Sequence, residues 1–97
     1  MPDGRYIILN GIGRGTAGYG NTSWAIGQSF GADPVLEPLY MDPTRPAGSR
    51  FYRDGMGTTD IGRLYHSSAT LLPDGSILTS GSNPNADYIA QGRDGYP

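Results

Sequence analysis

Two apolar runs of the chain flank a proline–aspartate–glycine tripeptide at residues 73–75, and this pattern constrains the fold more than any other. Proline presets φ for a turn, aspartate can hydrogen-bond its own backbone, and glycine accepts positive φ, so the tripeptide predicts a tight turn. The flanking residues 63–72 and 76–80 then predict the two strands of a β-hairpin. The first strand contains the only histidine of the chain, His66, directly after Tyr65.

The rest of the chain also predicts short strands rather than helices. Apolar runs at residues 5–10, 39–41 and 50–52 lie between turn-forming residues and predict further strands. Residues 23–30 predict irregular structure, because a glycine and several aromatic residues disfavour a stable helix, and residues from Ser82 onward predict a loop. Sixteen glycines and eight prolines accompany 10% aromatic residues, which favours a loop-rich all-β protein over a disordered chain.

Glycine is densest between residues 11 and 20, which predicts a long loop. Residues 13–18 match the G-x-G-x-x-G pattern that, in dinucleotide-binding folds, opens a helix holding a pyrophosphate. No 3.6-residue apolar period follows it, so the helix that this chemistry needs is not predicted. We therefore interpret the segment as a glycine-rich loop.

Charge and cysteine content exclude several function classes. The formal net charge is −2 and the chain has no basic run, so it lacks the electrostatic footprint of a nucleic-acid or anionic-membrane binder. No apolar stretch approaches the length of a transmembrane helix. The absence of cysteine excludes a disulfide or a thiolate site within this segment.

The proline–aspartate–glycine turn occurs twice, at residues 2–4 and 73–75, each time before a short apolar strand. Recurrent hairpins favour propeller blades, although this spacing exceeds a blade of about 40–50 residues. A long loop at residues 11–33 would supply the excess, and a coincidence of two common turns is the alternative. Because the first turn has no preceding strand to pair, we expect the chain to be a fragment of a larger protein.

Tyr65 and His66 are candidate metal ligands, because a phenolate and a neutral imidazole suit Cu(II) with N and O donors. Successive side chains of a regular strand point to opposite faces, so both can reach one ion only at a strand end or a bulge. The dipeptide by itself favours the alternative of a packed tyrosine beside a hydrogen-bonded histidine.

Several segments taken together resemble one known family. They are M-P-D-G-R (1–5), G-T-A-G-Y-G-N (15–21), S-W-A-I-G-Q-S (23–29), L-Y-M-D-P (39–43), R-L-Y-H-S-S-A-T-L-L-P-D-G-S-I-L (63–78) and G-S-N-P-N (81–85). The chain resembles the glyoxal oxidases, which are copper radical oxidases related to galactose oxidase. The R-x-Y-H-S-x-A-x-L-L-P-D-G stretch is the most specific part, since the galactose oxidase branch shares it.

The resemblance implies an all-β fold, a partial kelch-type β-propeller of about one to two blades with long glycine-rich loops. Residues 1–97 would be a fragment of the catalytic β-propeller domain of a larger, secreted protein. Their partners would then be the remaining blades and a C-terminal domain of that parent, with no nucleic acid and no membrane.

The resemblance also implies an activity and a ligand set. The parent would oxidise aldehydes to carboxylic acids with O2 and produce H2O2, with copper as cofactor. By position, Tyr65 would be the axial copper ligand and the catalytic proton acceptor, and His66 an equatorial ligand. The Cys-Tyr radical cofactor and a second histidine ligand would lie outside this chain, so we expect the isolated fragment to be inactive.

The sequence leaves one competing function open. A kelch-type propeller module that binds a protein or glycan without metal is the competing function.

Three further residues are conceivable pocket residues: Arg14, Tyr19 and Trp24. Structural packing is the favoured interpretation for them, and Arg63 is expected to anchor a loop. The copper hypothesis makes one structural demand: strand alternation must break at Tyr65 and His66 so that their side chains converge.

Overall fold

The computed structural model describes residues 1–25, 27–83 and 85, and these residues are all-β, as predicted. The strands are β1 (Tyr6–Ile8), β2 (Ile12–Tyr19), β3 (Ser29–Pro34), β4 (Leu39–Met41), β5 (Phe51–Tyr52), β6 (Ser67–Leu71) and β7 (Ile77–Gly81). A single 3-10 turn at Ala47–Ser49 accompanies them in the described part of the chain. Within that part, no helix has the length and apolar character needed to cross a membrane.

The strands form three small antiparallel sheets that do not close on one another. In the first sheet β4 lies between β1 and β5, with Met41 opposite both Tyr6 and Phe51. The predicted strands at 39–41 and 50–52 are confirmed, whereas the strand predicted at 5–10 covers only Tyr6–Ile8. It ends early because Asn10 and Gly11 both adopt positive φ and turn the chain away.

The glycine-rich segment is a β-hairpin, so the prediction of a loop there was wrong. β2 pairs with β3, and the hairpin is inserted between β1 and β4. Gly15, at φ 97°, lies opposite Gly31, and a Cβ at Gly15 would overlap the carbonyl oxygen of Phe30. Glycine therefore serves the close approach of two backbones here, not chain flexibility.

The two proline–aspartate–glycine turns have the same geometry. Gly4 and Gly75 donate their N–H groups to the carbonyls three residues earlier, at 3.1 and 3.0 Å, with φ of 85° and 87°. Asp3 and Asp74 each accept the N–H two residues later at 3.0 Å. Proline at the second position and a left-handed glycine at the fourth match a type I turn followed by a G1 bulge.

The hairpin of β6 and β7 is confirmed, with Ser67 opposite Gly81 and Leu71 opposite Ile77. Its first strand begins at Ser67, four residues later than predicted, because residues 65 and 66 form a turn. The predicted loop from Ser82 onward falls, apart from residues 82, 83 and 85, outside the described part of the chain.

Very little apolar surface is fully buried. Among the described residues, Leu64 is the one hydrophobic side chain in the core, at 4% exposure. The Cα radius of gyration is 15.2 Å, against about 13 Å for a compact domain of this size. The segment therefore needs further burial to be stable.

We expect the isolated 97-residue chain to show no cooperative thermal unfolding, because its own core is too small. Differential scanning calorimetry of the purified chain tests this directly. A sharp heat-absorption peak with equal calorimetric and van't Hoff enthalpies would show an independent domain instead.

Candidate functional site

The candidate site lies in a four-residue turn that leads into β6. The Ser67 N–H donates to the Leu64 carbonyl at 3.1 Å, which closes the turn around Tyr65 and His66. His66, at the third position, has a φ of 64°. Type II turns require positive φ at this position and usually place glycine there. Positive φ is uncommon for residues other than glycine, although histidine adopts it more readily than most, and conformations of this kind cluster at functional sites.

The turn brings the two candidate ligands to the same side of the backbone. The rings of Tyr65 and His66 stack, with centroids 3.9 Å apart and planes inclined by 26°. In a continuous strand these side chains would point to opposite faces. The break in strand alternation that the copper hypothesis requires at this dipeptide is confirmed. His66 is exposed and Tyr65 is half-buried, so an ion or a substrate can approach the pair.

The chain before the turn is fixed by hydrogen bonds of its backbone and of the Arg63 side chain. The Gly11 N–H donates to the Arg63 carbonyl at 2.8 Å, and the buried Leu64 N–H donates to Ser82 Oγ at 2.8 Å. The Arg63 guanidinium donates to the Gly81 carbonyl at 2.9 Å, which confirms the expected role of Arg63 as an anchor. The turn is therefore held between the end of β7 and the loop after β1.

Gly81 makes the closest approach to the turn. It has a φ of 81°, and a Cβ at this position would lie 2.5 Å from the carbonyl oxygen of His66. Real Cβ atoms do not approach oxygen so closely, and positive φ disfavours any other residue. The end of β7 thus fits against His66 only because residue 81 is glycine.

Tyr19, at the end of β2, joins the pair although sequence reasoning set it aside as a packing residue. Its hydroxyl donates to the Tyr65 carbonyl at 2.7 Å. Its ring lies edge-on to Tyr65 and His66, with centroid distances of 5.1 and 5.3 Å. Burial, and then the electrostatic influence of Tyr65, raise the pKa of the Tyr19 hydroxyl.

The other two residues considered as pocket candidates lie elsewhere. Arg14 forms an exposed ion pair with Asp33 at 3.4 Å. Trp24 is 60% exposed and packs against Phe30 at a centroid distance of 4.9 Å. Arg14 and Trp24 also line a shared cavity with Phe30, apart from the Tyr65–His66 turn, so the structure does not decide between packing and a pocket role.

The donor set fits part of a copper site. Tyr65 offers a phenol oxygen and His66 an imidazole nitrogen, the donor types that Cu(II) accepts in tetragonal sites. Within the described residues, no cluster of three or more histidine, cysteine, aspartate or glutamate side chains could hold an ion. Tyr65 and His66 could supply two donors, and a copper ion bound there would need further ligands from elsewhere.

Comparison with known proteins decides the family. The family model described as the glyoxal oxidase N-terminus matches residues 1–97. This chain belongs to the glyoxal oxidase family.

Curated relatives match this glyoxal oxidase segment along most of its length. A WSC domain-containing protein of Arthroderma benhamiae is 39% identical over 93 residues, 96% of this chain and 9% of the relative. Aldehyde oxidase GLOX1 of Arabidopsis thaliana is 38% identical over 88 residues, 91% of this chain and 12% of the relative. Aldehyde oxidase GLOX of Vitis pseudoreticulata is 38% identical over 88 residues, 91% of this chain and 15% of the relative.

The chain therefore spans 9 to 15% of the length of these relatives. No solved structure shows significant similarity to it.

The approach of Gly81 to His66 gives a direct test of the site in this glyoxal oxidase family member. We expect Gly81→Ala to destabilise the protein by more than about 1 kcal/mol, because the new Cβ meets the His66 carbonyl and the φ is left-handed. Gly48→Ala is the matched control, since nothing lies within 4 Å of its Cβ and its φ is ordinary. Denaturant unfolding of the full-length protein measures both variants; equal stability of the two would contradict the close approach.

Proposed function

We propose that this chain is a fragment of the catalytic β-propeller domain of a larger copper radical oxidase that converts aldehydes to carboxylic acids. Family membership and the names of two relatives, both aldehyde oxidases, support this proposal. The observation that carries it is the turn at Tyr65 and His66, which presents a phenol and an imidazole side by side.

The reaction oxidises the aldehyde hydrate by two electrons. The hydrate RCH(OH)2 loses two hydrogens to become RCOOH, and O2 gains them to become H2O2. Copper, when bound, supplies one-electron redox chemistry and an open coordination position. The second one-electron centre, a tyrosine cross-linked to cysteine, would lie outside this segment, which contains no cysteine.

Tyr65 and His66 have separate roles in this proposal. The imidazole of His66 would hold the ion through one ring nitrogen. The Tyr65 oxygen would be the second donor and would accept the proton of the substrate hydroxyl, a role that needs a basic atom within hydrogen-bonding reach of the substrate. The exposure of His66 and the half-burial of Tyr65 leave that side of the turn open for a small aldehyde.

The remaining blades and a C-terminal domain are the partners that we propose for this segment. Several large apolar side chains are exposed in a chain that buries so little of its own surface. They are Ile8, Phe51, Leu71 and Leu78, at 44 to 59% exposure. Exposed apolar surface of this kind is typical of interaction sites, and the rest of a propeller would cover it. We further propose that the parent protein is secreted.

In the full-length protein, we expect His66→Ala and Tyr65→Phe to fail in different ways. Loss of the imidazole should remove most bound copper, whereas loss of the phenol oxygen should leave copper content near normal. Tyr65→Phe should lower turnover about 10²- to 10⁴-fold, because a positioned proton acceptor usually accelerates a reaction by a factor of this size. Metal analysis and peroxide release from methylglyoxal measure the two effects.

Tyr6→Phe is the matched control, because Tyr6 is 59% exposed and lies on β1. Normal turnover in Tyr65→Phe would remove the proton-acceptor role. Absence of copper from the unmodified full-length protein would favour a propeller module that binds a protein or glycan without metal.

The isolated 97-residue segment should release no peroxide from methylglyoxal in the presence of copper, because it carries only part of the ligand set. Peroxide above the level of copper alone, measured with a coupled peroxidase, would contradict this expectation.

A further inference from the structure

The position of Tyr19 depends on an irregularity in the hairpin of β2 and β3. Gly15 lies opposite Gly31 and Tyr19 opposite Ser29, so four steps along β2 match two along β3. Extra residues of this kind bend a strand and re-aim its side chains. The bulge therefore directs the end of β2, and with it Tyr19, toward the turn that carries Tyr65.

The neighbours of Tyr19 hold this bulge in place. Cβ atoms built at Gly18 and Gly20 would lie 3.0 and 2.6 Å from the Phe30 ring, so the ring packs directly on both glycines. The Gly20 N–H donates to the Gln28 carbonyl at 2.8 Å, and Ser29 is 2% exposed. Tyr19 thus extends from a supported strand end and not from a free loop.

The atom that accepts the Tyr19 hydrogen bond determines how this contact affects the turn. The Tyr65 carbonyl belongs to the peptide group that links Tyr65 to His66, the central peptide of the turn. Type I and type II turns differ chiefly by a flip of this peptide, which moves φ of the third residue from about −90° to about +80°. Holding the carbonyl in one direction therefore holds His66 in its left-handed conformation.

The cost of the left-handed conformation at His66 and the stabilisation by the Tyr19 hydrogen bond are of comparable size. For a residue other than glycine, the population of the left-handed region is lower by a factor of about 5 to 30. One hydrogen bond shifts an equilibrium by a factor of about 2 to 10 in the other direction. The contact with Gly81 and the edge-on packing of the Tyr19 ring add to the hydrogen bond. Removal of the hydroxyl alone should then shift the turn measurably without abolishing it.

We propose that Tyr19 is the positioning residue of the Tyr65–His66 pair, and that its hydroxyl fixes the central peptide of the turn so that both side chains converge. The part concerning copper rests on the proposed function. The part concerning the peptide does not, because the contacts that carry it involve this chain alone.

The test uses the full-length protein with Tyr19→Phe, which removes the hydroxyl and keeps the ring, and with Tyr6→Phe as control. In the metal-free protein, the carbon–proton NMR signal of the His66 ring, assigned by its loss in His66→Ala, should move or broaden in Tyr19→Phe only. With copper, affinity for Cu(II) in a competition titration should fall about 2- to 10-fold, at unchanged stoichiometry. The hyperfine splitting of the Cu(II) electron paramagnetic resonance spectrum should also change.

Two outcomes overturn the proposal. A His66 signal and a copper affinity identical to those of the unmodified protein would show that the hydroxyl positions nothing. Loss of most bound copper, as expected for His66→Ala, would make Tyr19 a ligand instead. If the unmodified protein binds no copper, the proposed function fails, and the metal-free NMR signal alone then decides the role of Tyr19.

A second measurement does not require the variant to fold. A high-resolution crystal structure of the unmodified full-length protein should show the Tyr19 oxygen hydrogen-bonded to the Tyr65 carbonyl and a positive φ at His66. A negative φ at His66, or a Tyr19 oxygen beyond about 3.5 Å from that carbonyl, would overturn the proposal.

Discussion

The left-handed backbone of His66 is the constraint on which the candidate site depends. With an extended conformation at this residue, β6 would continue backward through Tyr65, and the two side chains would separate to opposite faces. With φ at 64°, the chain turns, the rings stack and the strand starts only at Ser67. An intrinsically disfavoured conformation of this kind persists because the surrounding structure determines it more than once.

The restraints on the turn come from three separate parts of the chain. Tyr19 reaches it from the inserted hairpin, Gly81 and Ser82 meet it from the end of β7, and Gly11 holds the residue before it from the loop after β1. The same contacts place the one buried hydrophobic side chain of the described residues, Leu64, next to the pair. Buried Leu64 and Ser82 thus lie at the turn that carries Tyr65 and His66, whereas several large apolar side chains elsewhere are exposed.

Local sequence patterns predicted the elements that depend on local chemistry. The proline–aspartate–glycine turns, β4, β5 and the hairpin of β6 and β7 follow from residues adjacent in sequence. The glycine-rich hairpin was missed because glycine has two uses that look alike in a sequence. In this hairpin it permits close approach to another strand, whereas in loops it provides conformational freedom. Tyr19 was missed as a member of the site because its contacts with Tyr65 span 46 residues and leave no local pattern. The resemblance to a known family identified the Tyr65–His66 pair, and the physical need for convergence correctly predicted that the backbone must break there.

The central claim is that Tyr65 and His66 together bind copper in the protein that carries this segment. Anomalous diffraction from crystals of the copper-loaded full-length protein, recorded on both sides of the copper absorption edge, tests this claim most directly. The account predicts one anomalous peak within coordination distance of both the Tyr65 oxygen and a His66 ring nitrogen. A copper peak elsewhere, with the stacked pair contacting only protein, would contradict it.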